Sequence, residues 1–304
     1  MSTPIISNSI RELLWRTLTD VWANAYTEWP AEWSQIFDEK MGEGPYIQNT
    51  GMAGLGYART KAESAGIAFD DMGTTFTAQF NPLVWALGYQ ISREAFEDNK
   101  YEEVGLKKTT ALMRSMMQTK EVNHALILDR AFNSSYTTAD GIEMCATNHK
   151  LYYGGTFANE LSVAADLSEA ALEQACIDIS NFVDDRNFKI KVMPKLLITS
   201  SSDVFNSNRI LKNTDRPATA DRDINALVKT NMIPNMMVNH YVTDTDAWFI
   251  KTDCPEGLCT YAIRDLEFGQ ENDWDTENFK AKATERYAPG ITDVRGIYGS
   301  AGAA

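Results

Sequence analysis

The chain has 304 residues, 44% of them hydrophobic and 23% charged, with 28 Lys and Arg against 42 Asp and Glu for a formal net charge of −14. A chain of this size and make-up buries a sizeable core in water without disulfides or metals. Its acidic balance argues against a surface that grips nucleic acid through clustered Lys and Arg; the longest basic cluster, Lys107-Lys108, sits beside Glu102 and Glu103.

The first residues carry no basic segment leading into a long apolar one, so no signal peptide is expected. No run approaches 18 apolar residues, so no membrane span is expected. Residues 9–26 read as an amphipathic helix, with Ile10, Leu13, Leu14, Leu18, Val21 and Trp22 at helical spacing and Pro30 beyond it. Trp15, Trp22, Trp29 and Trp33 follow one another closely and need a surface to bury them, their own core or a neighbour's. Residues 42–56 are Gly-rich and poor in helix signal. Residues 57–89 turn extended: Ile67 and Phe69, then Phe76, Ala78 and Phe80, alternate with polar residues around an Asp70–Gly73 turn. They predict a two-stranded ribbon that is marginal alone and needs a partner surface.

The longest helical pattern spans 93–132, with Ala111, Leu112, Met113, Met116, Met117, Val122, Ala125, Leu126 and Leu128 expected on a broad apolar face. Such a helix would run about 45 Å and form the spine of a domain. A second helix is expected over 166–185, with Ser168 as N-cap and Leu167 and Leu172 as a hydrophobic staple. Cys176 falls on its apolar stripe as a small core residue. Then come a buried strand (192–199), a helix (202–211), a polar loop (214–223) and strands at 238–243, 247–251, 258–263 and 279–287. The mixed order predicts an α+β protein.

Signs of chemistry are few. His124, His149 and His240 are scattered, and Cys145, Cys176, Cys254 and Cys259 form no C-x-x-C pair. His240 with Cys254 and Cys259 are the only soft ligands near one another in sequence. The spaced glycines of 51–56 follow no strand and open no helix, as a phosphate loop would require. No catalytic residue, metal or cofactor is expected.

Several segments together resemble the phage major capsid proteins of the HK97 fold, in the branch related to the Mu major head subunit. They are Gly54-Leu55-Gly56-Tyr57-Ala58 with Lys61-Ala62-Glu63, the run from Gly88 to Asp98, the run from Asp166 to Glu173, Met193 to Ile198, Thr243 to Phe249, and Asp293 to Ser300. The resemblance implies an N-terminal arm (1–45), an extended loop (46–92), a peripheral domain with the spine helix (93–165), an axial domain (166–260) and a return to the peripheral domain (261–304). It implies a shell protein of the virion, assembled in the host cytoplasm, whose partners are copies of itself in pentamers and hexamers. A portal and a separate scaffolding protein are expected beside it, with double-stranded DNA enclosed without sequence-specific binding. The candidates for inter-subunit contact are Trp22, Trp29, Trp33, Tyr57, Lys61, Glu63, Phe69 and Phe76. Lys61 could be considered for an isopeptide cross-link as in some relatives; a solvated lysine is the simpler reading. A nanocompartment shell resembling encapsulins, or a soluble enzyme, are the alternatives.

Overall fold

The computed structural model describes residues 22, 30–92, 94, 101–213, 224–273 and 278–303. The helix expected over 9–26 therefore lies outside the described residues except at Trp22, as does Trp29. In chain order the elements are α1 (Trp33–Ile36), β1 (Asp38–Met41), β2 (Ile47–Met52), β3 (Thr74–Phe80), β4 (Leu83–Ile91) and α2 (Tyr101–Asp129). There follow β5 (His149–Lys150), β6 (Thr156–Phe157), α3 (Glu169–Ser180), β7 (Pro194–Thr199), α4 (Val204–Lys212) and α5 (Ala226–Thr230). The chain closes with β8 (Asn235–Val238), β9 (Trp248–Thr252), β10 (Leu258–Asn272), β11 (Phe279–Ile291) and β12 (Ile297–Ser300). The α+β expectation holds.

One four-stranded sheet has the order β12-β9-β7-β8. Its central strands bury both faces. Leu197, Trp248 and Ile250 join α3 residues Leu172, Ala175 and Ile179 in one cluster. Leu196, Ile198 and Phe249, of opposite parity, join Leu128, Ile36 and Phe37 in another. This two-sided burial explains why β9 is apolar at consecutive positions instead of alternating. α3 begins as its sequence implies: the Ser168 side chain accepts the Ala171 N–H at 3.2 Å, and Leu167 and Leu172 are both buried.

The other four-stranded sheet has the order β1-β10-β11-β4. α2 lies on it, with Leu112, Met113 and Met116 against Ala283, Trp85 and Tyr89. At 29 residues the helix runs about 44 Å. Two residues expected on its apolar face, Ala111 and Val122, are exposed instead. Val122 stands nine residues beyond buried Met113, about two and a half turns, which is the opposite side of the helix.

Three further expectations need correction. The ribbon is not built from 67–69 against 76–80: β3 pairs antiparallel with β2, Ile47 opposite Phe80 and Asn49 opposite Ala78. β2 had no readable signal because its polar run is held by backbone ladder bonds and by a Thr50–Thr77 hydroxyl pair at 3.0 Å. The strand expected at 238–243 lies earlier, at β8. It stops there because the Asn239 side chain accepts the N–H groups of Tyr241 (2.8 Å) and Val242 (3.1 Å), turning the chain. β10 runs on to Asn272, past the expected end at 263, through register shifts near Arg264 that let a charged stretch stay in the ladder.

Candidate assembly surfaces

Residues 53–73 connect β2 to β3 without a regular strand among them. The Ala53 N–H donates to the Gly73 carbonyl at 2.9 Å, which closes the loop at its base. Beyond that base the apolar side chains face water: Tyr57 is 72% exposed, Ile67 69% and Phe69 95%. Lys61 and Glu63 are exposed as well. Phe76 is half-buried at the root, edge-on to Tyr152 at 6.0 Å. A loop with large apolar groups in water has no stability of its own to gain from them.

One polar cluster ties this loop to the rest of the chain. Asp70 Oδ2 accepts the Gly56 N–H at 2.7 Å and Arg186 Nη1 at 3.0 Å, and Arg186 Nη2 donates to the Asp71 carbonyl at 2.6 Å. The Gly56 amide, aided by the Asp71 amide and the Arg186 guanidinium, holds the Asp70 carboxyl below its ordinary range. Nearby, the Tyr57 ring lies over Phe188 at 4.0 Å.

The root of the N-terminal arm is clamped, not exposed. Trp33 is buried, tilted against His124 at 4.8 Å, with Lys120 Nζ over its ring at 4.4 Å. Trp22 stacks on Phe268 at 4.8 Å. Both were candidates for inter-subunit contact; the structure instead places them in the chain's own core, because α2 and β10 offer an apolar wall within reach. The Glu121 carboxylate on α2 accepts the N–H groups of Glu32 (2.7 Å) and Trp33 (3.0 Å). Glu32 in turn takes the His240 N–H at 3.0 Å and meets its Nδ1 at 2.5 Å. Burial pushes the Glu121 carboxyl up, against the pull of those two amides. Neither Glu121 nor Glu32 carries a signal in sequence, since both are single acids in a chain rich in them.

Two histidines and a cysteine are held by the packing around them. His124 is fully enclosed, between the Lys120 carbonyl (2.6 Å) and Thr260 Oγ1 (2.7 Å), and burial brings its pKa down to about 4. His149 pairs with Asp140 at 2.7 Å. Burial pushes the Cys254 thiol up to about 12, with Asp293 beside it adding to the effect. Among the described residues, no group of three or more His, Cys, Asp or Glu is placed to hold a metal ion. None of the described helices is long and apolar enough to cross a membrane. A groove of about 740 Å³ between β3, β4, α2 and β11 is lined by Phe80, Trp85, Leu126, Ile127 and Tyr287, with Arg130 at its wall. A more polar pocket of about 430 Å³ lies by the ribbon root. There the Arg295 guanidinium is spent on Asp293 and Asp185 (3.2 and 3.3 Å) and on the Val183 carbonyl (2.7 Å).

What the geometry supplies is therefore packed plates and a loop with exposed apolar side chains. Residues 75–300 match the phage capsid protein family, from β3 through β12. The chain belongs to that family. It is a capsid shell protein, and its mixed architecture is the HK97 fold that its segments resemble. The virus-like particle of Pyrococcus furiosus is similar to this capsid protein in fold, with a TM-score of 0.55 at 11% identity, covering 94% of this chain and 98% of that one. The procapsid of bacteriophage JBD30 gives a TM-score of 0.53 at 12% identity over 97% of this chain and 76% of that one. A phage-related protein of Bordetella bronchiseptica RB50 gives 0.51 at 12% identity over 92% and 95%. No curated protein matches the chain. As a capsid protein it associates with copies of itself and resides in the virion shell.

Proposed function

We propose that loop 53–73 is the arm by which one capsid subunit overlies the next, with Tyr57 and Phe69 as its apolar contacts, Phe76 at its root in β3, and Lys61 and Glu63 as a solvated rim. The observation that carries this reading is Phe69, almost wholly in water in a loop where the described residues offer it no cover. The two sheets then divide the labour. The unit around β7, β8 and β9 is the axial domain, the unit around α2 is the peripheral one, and Trp22 and Trp33 hold the N-terminal segment against its own chain. The shell closes through repeated head-to-tail contacts in rings of five and six.

The shell works without catalysis, by enclosing double-stranded DNA. The net charge of −14 suits a wall that must not hold the packed DNA; like charges repel over about one Debye length, roughly 8 Å at physiological salt. A portal and a scaffolding protein are its partners during assembly in the host cytoplasm. A nanocompartment shell enclosing cargo enzymes would use the same fold, but the match to the phage capsid family favours the DNA-enclosing shell. Light scattering and electron microscopy of the purified protein test this reading. Closed, uniform particles are expected; a monomer at every salt and protein concentration would contradict it.

A further inference from the structure

We infer that the outer edge of β4 is a self-pairing surface: β4 of one copy joins β4 of a second, antiparallel about a two-fold through Leu87, and the two sheets become one. The inference goes beyond the reading of loop 53–73 and makes no use of it; its starting point is the association of this capsid protein with copies of itself.

β4 ends the order β1-β10-β11-β4, and among the described residues no strand pairs with its outer edge. From Leu83 to Ile91 it has nine residues without a charge or a proline. It follows β11 in unbroken register, from Ile91 opposite Phe279 to Leu83 opposite Tyr287, so no bulge bends the edge away. Edges that must stay single are defended by charges, prolines or bulges. The open backbone groups can be named. A Cβ on Gly88 would lie 2.8 Å from the Ala281 carbonyl oxygen, so that oxygen points at β4. Tyr89, opposite Ala281, therefore exchanges ladder bonds with β11, and the alternate residues Val84, Ala86, Gly88 and Gln90 turn N–H and C=O outward. The Gln90 carbonyl accepts Lys108 Nζ there at 2.9 Å.

A two-fold at Leu87 pairs all nine residues. Val84 of one copy faces Gln90 of the other, and Ala86 faces Gly88, as the pairs that exchange hydrogen bonds. Leu83 faces Ile91, Trp85 faces Tyr89 and Leu87 faces Leu87 in the closer pairs between them. Leu83, Val84 and Leu87, exposed in the single chain, leave water. No charge meets a like charge, which matters between copies of net charge −14, and an uncharged edge gives nucleic acid or a charged peptide nothing to select. Lys108 yields the Gln90 carbonyl to the Val84 N–H and turns to solvent.

The long helix fits the same two-fold. α2 runs along β4, with Thr109 Oγ1 2.7 Å from Tyr89 Oη and Asn123 Nδ2 2.8 Å from Tyr287 Oη, the residue opposite Leu83. It packs on Trp85 and Tyr89 of β4 and on Ala283 of β11, so its axis lies between those strands. With strands about 4.8 Å apart, the α2 helices of the two copies lie antiparallel at roughly 10 Å, a packing distance for helices with small residues between them. The flank of α2 beside Lys108 carries such residues: Val104, Ala111, Ser115, Thr119 and Val122, with Lys108 itself, at spacings of three and four. Val104, Ala111 and Val122 are exposed in the single chain. The Thr119 hydroxyl already donates to the Ser115 carbonyl at 2.7 Å.

The test is a disulfide across the two-fold. Shells of Leu87→Cys are oxidised with diamide and run on a gel without reductant, beside shells of Leu83→Cys and of the parent. Leu83 is as exposed as Leu87 on the same strand, but eight residues of strand, about 27 Å, separate it from its counterpart across the two-fold. A covalent dimer is expected from Leu87→Cys shells, and none from Leu83→Cys shells, from parent shells or from dilute unassembled Leu87→Cys chain. Monomer alone in the Leu87→Cys shells, as when another segment of the chain covers the strand, or equal dimer from both variants, would overturn the inference. A charge pair gives a reading that does not need the cysteine variant to assemble. Leu87→Lys and Leu87→Glu, at a half-exposed site, should each melt like the parent and lose shells, because like charges then meet at the two-fold; mixed in equal amounts they should form shells again. Shells from either variant alone at the parent's yield, or a mixture that forms none, would overturn the inference. Loop 53–73 is intact in every one of these chains, so the arm reading stands or falls separately, on removal of that loop.

Discussion

The sheet β12-β9-β7-β8 and the loop 53–73 are built on opposite terms. In the sheet, Trp248, Ile250, Leu197 and Tyr298 are wholly buried, and even the Trp248 Nε1–H has a partner, the Ala165 carbonyl at 3.0 Å. In the loop, Phe69 and Tyr57 are in water, and the polar contacts gather at one carboxylate. The first region gains its stability from its own chain. The second leaves its large apolar side chains in water, where they add no stability to the chain. Substitutions in the sheet should therefore unfold the subunit, whereas substitutions in the loop should leave it folded and stop assembly.

The largest effect is expected at the centre of the sheet. Trp248→Ala should cost about 3–5 kcal/mol in chemical denaturation, since it leaves a large cavity. Leu112→Ala, at the contact of α2 with the other sheet, should cost about 2–5 kcal/mol; a change below about 0.5 kcal/mol would mean a surface site and a different register for the helix.

Acid should act on the core as well. His124 is held neutral in the fold, with Trp33, Phe37 and Tyr287 around it and Lys120 adding positive charge. Between pH 6.5 and about 4 the unfolded chain takes up a proton that the folded core refuses. Stability is thus intact above pH 6.5 and falls as pH drops through this window, by on the order of 3 kcal/mol. Denaturation as a function of pH should show this slope, and His124→Gln should remove it. A smaller loss, about 1 kcal/mol, is expected for Ser168→Ala at the N-cap of α3. The smallest effect on folding belongs to the loop: Phe69→Ala should change stability by less than about 0.5 kcal/mol while sharply reducing shell yield, which sharpens the contrast between the two regions.

The difference between these regions also governs what could be read from sequence. The α3 cap and staple, the α2 spine with Leu112 and Met116 inward, and the apolar β7 and β9 were legible because local periodicity and burial agree there. β2 was not, because its order comes from ladder bonds to β3 and its residues are mostly polar. Nothing in the Asp184-Asp185-Arg186-Asn187 run announces a guanidinium aimed at Asp70. The arm root misled in another way. Tryptophans near a terminus suggested a surface for neighbours, and Trp22 and Trp33 proved to be core because α2 lay within reach. Long-range polar contacts made by single residues leave no period in the sequence.

Removal of the loop tests most directly the claim that it exists for assembly. Because the Ala53 N–H already meets the Gly73 carbonyl, residues 54–72 can be replaced by Asn-Gly to give a tight hairpin between β2 and β3. Melting and light scattering of that chain, with electron microscopy of the same sample, give the answer. The account predicts a folded monomer with the parent's melting behaviour and no shells. Particles of normal size and shape, or a chain that no longer folds, would contradict it.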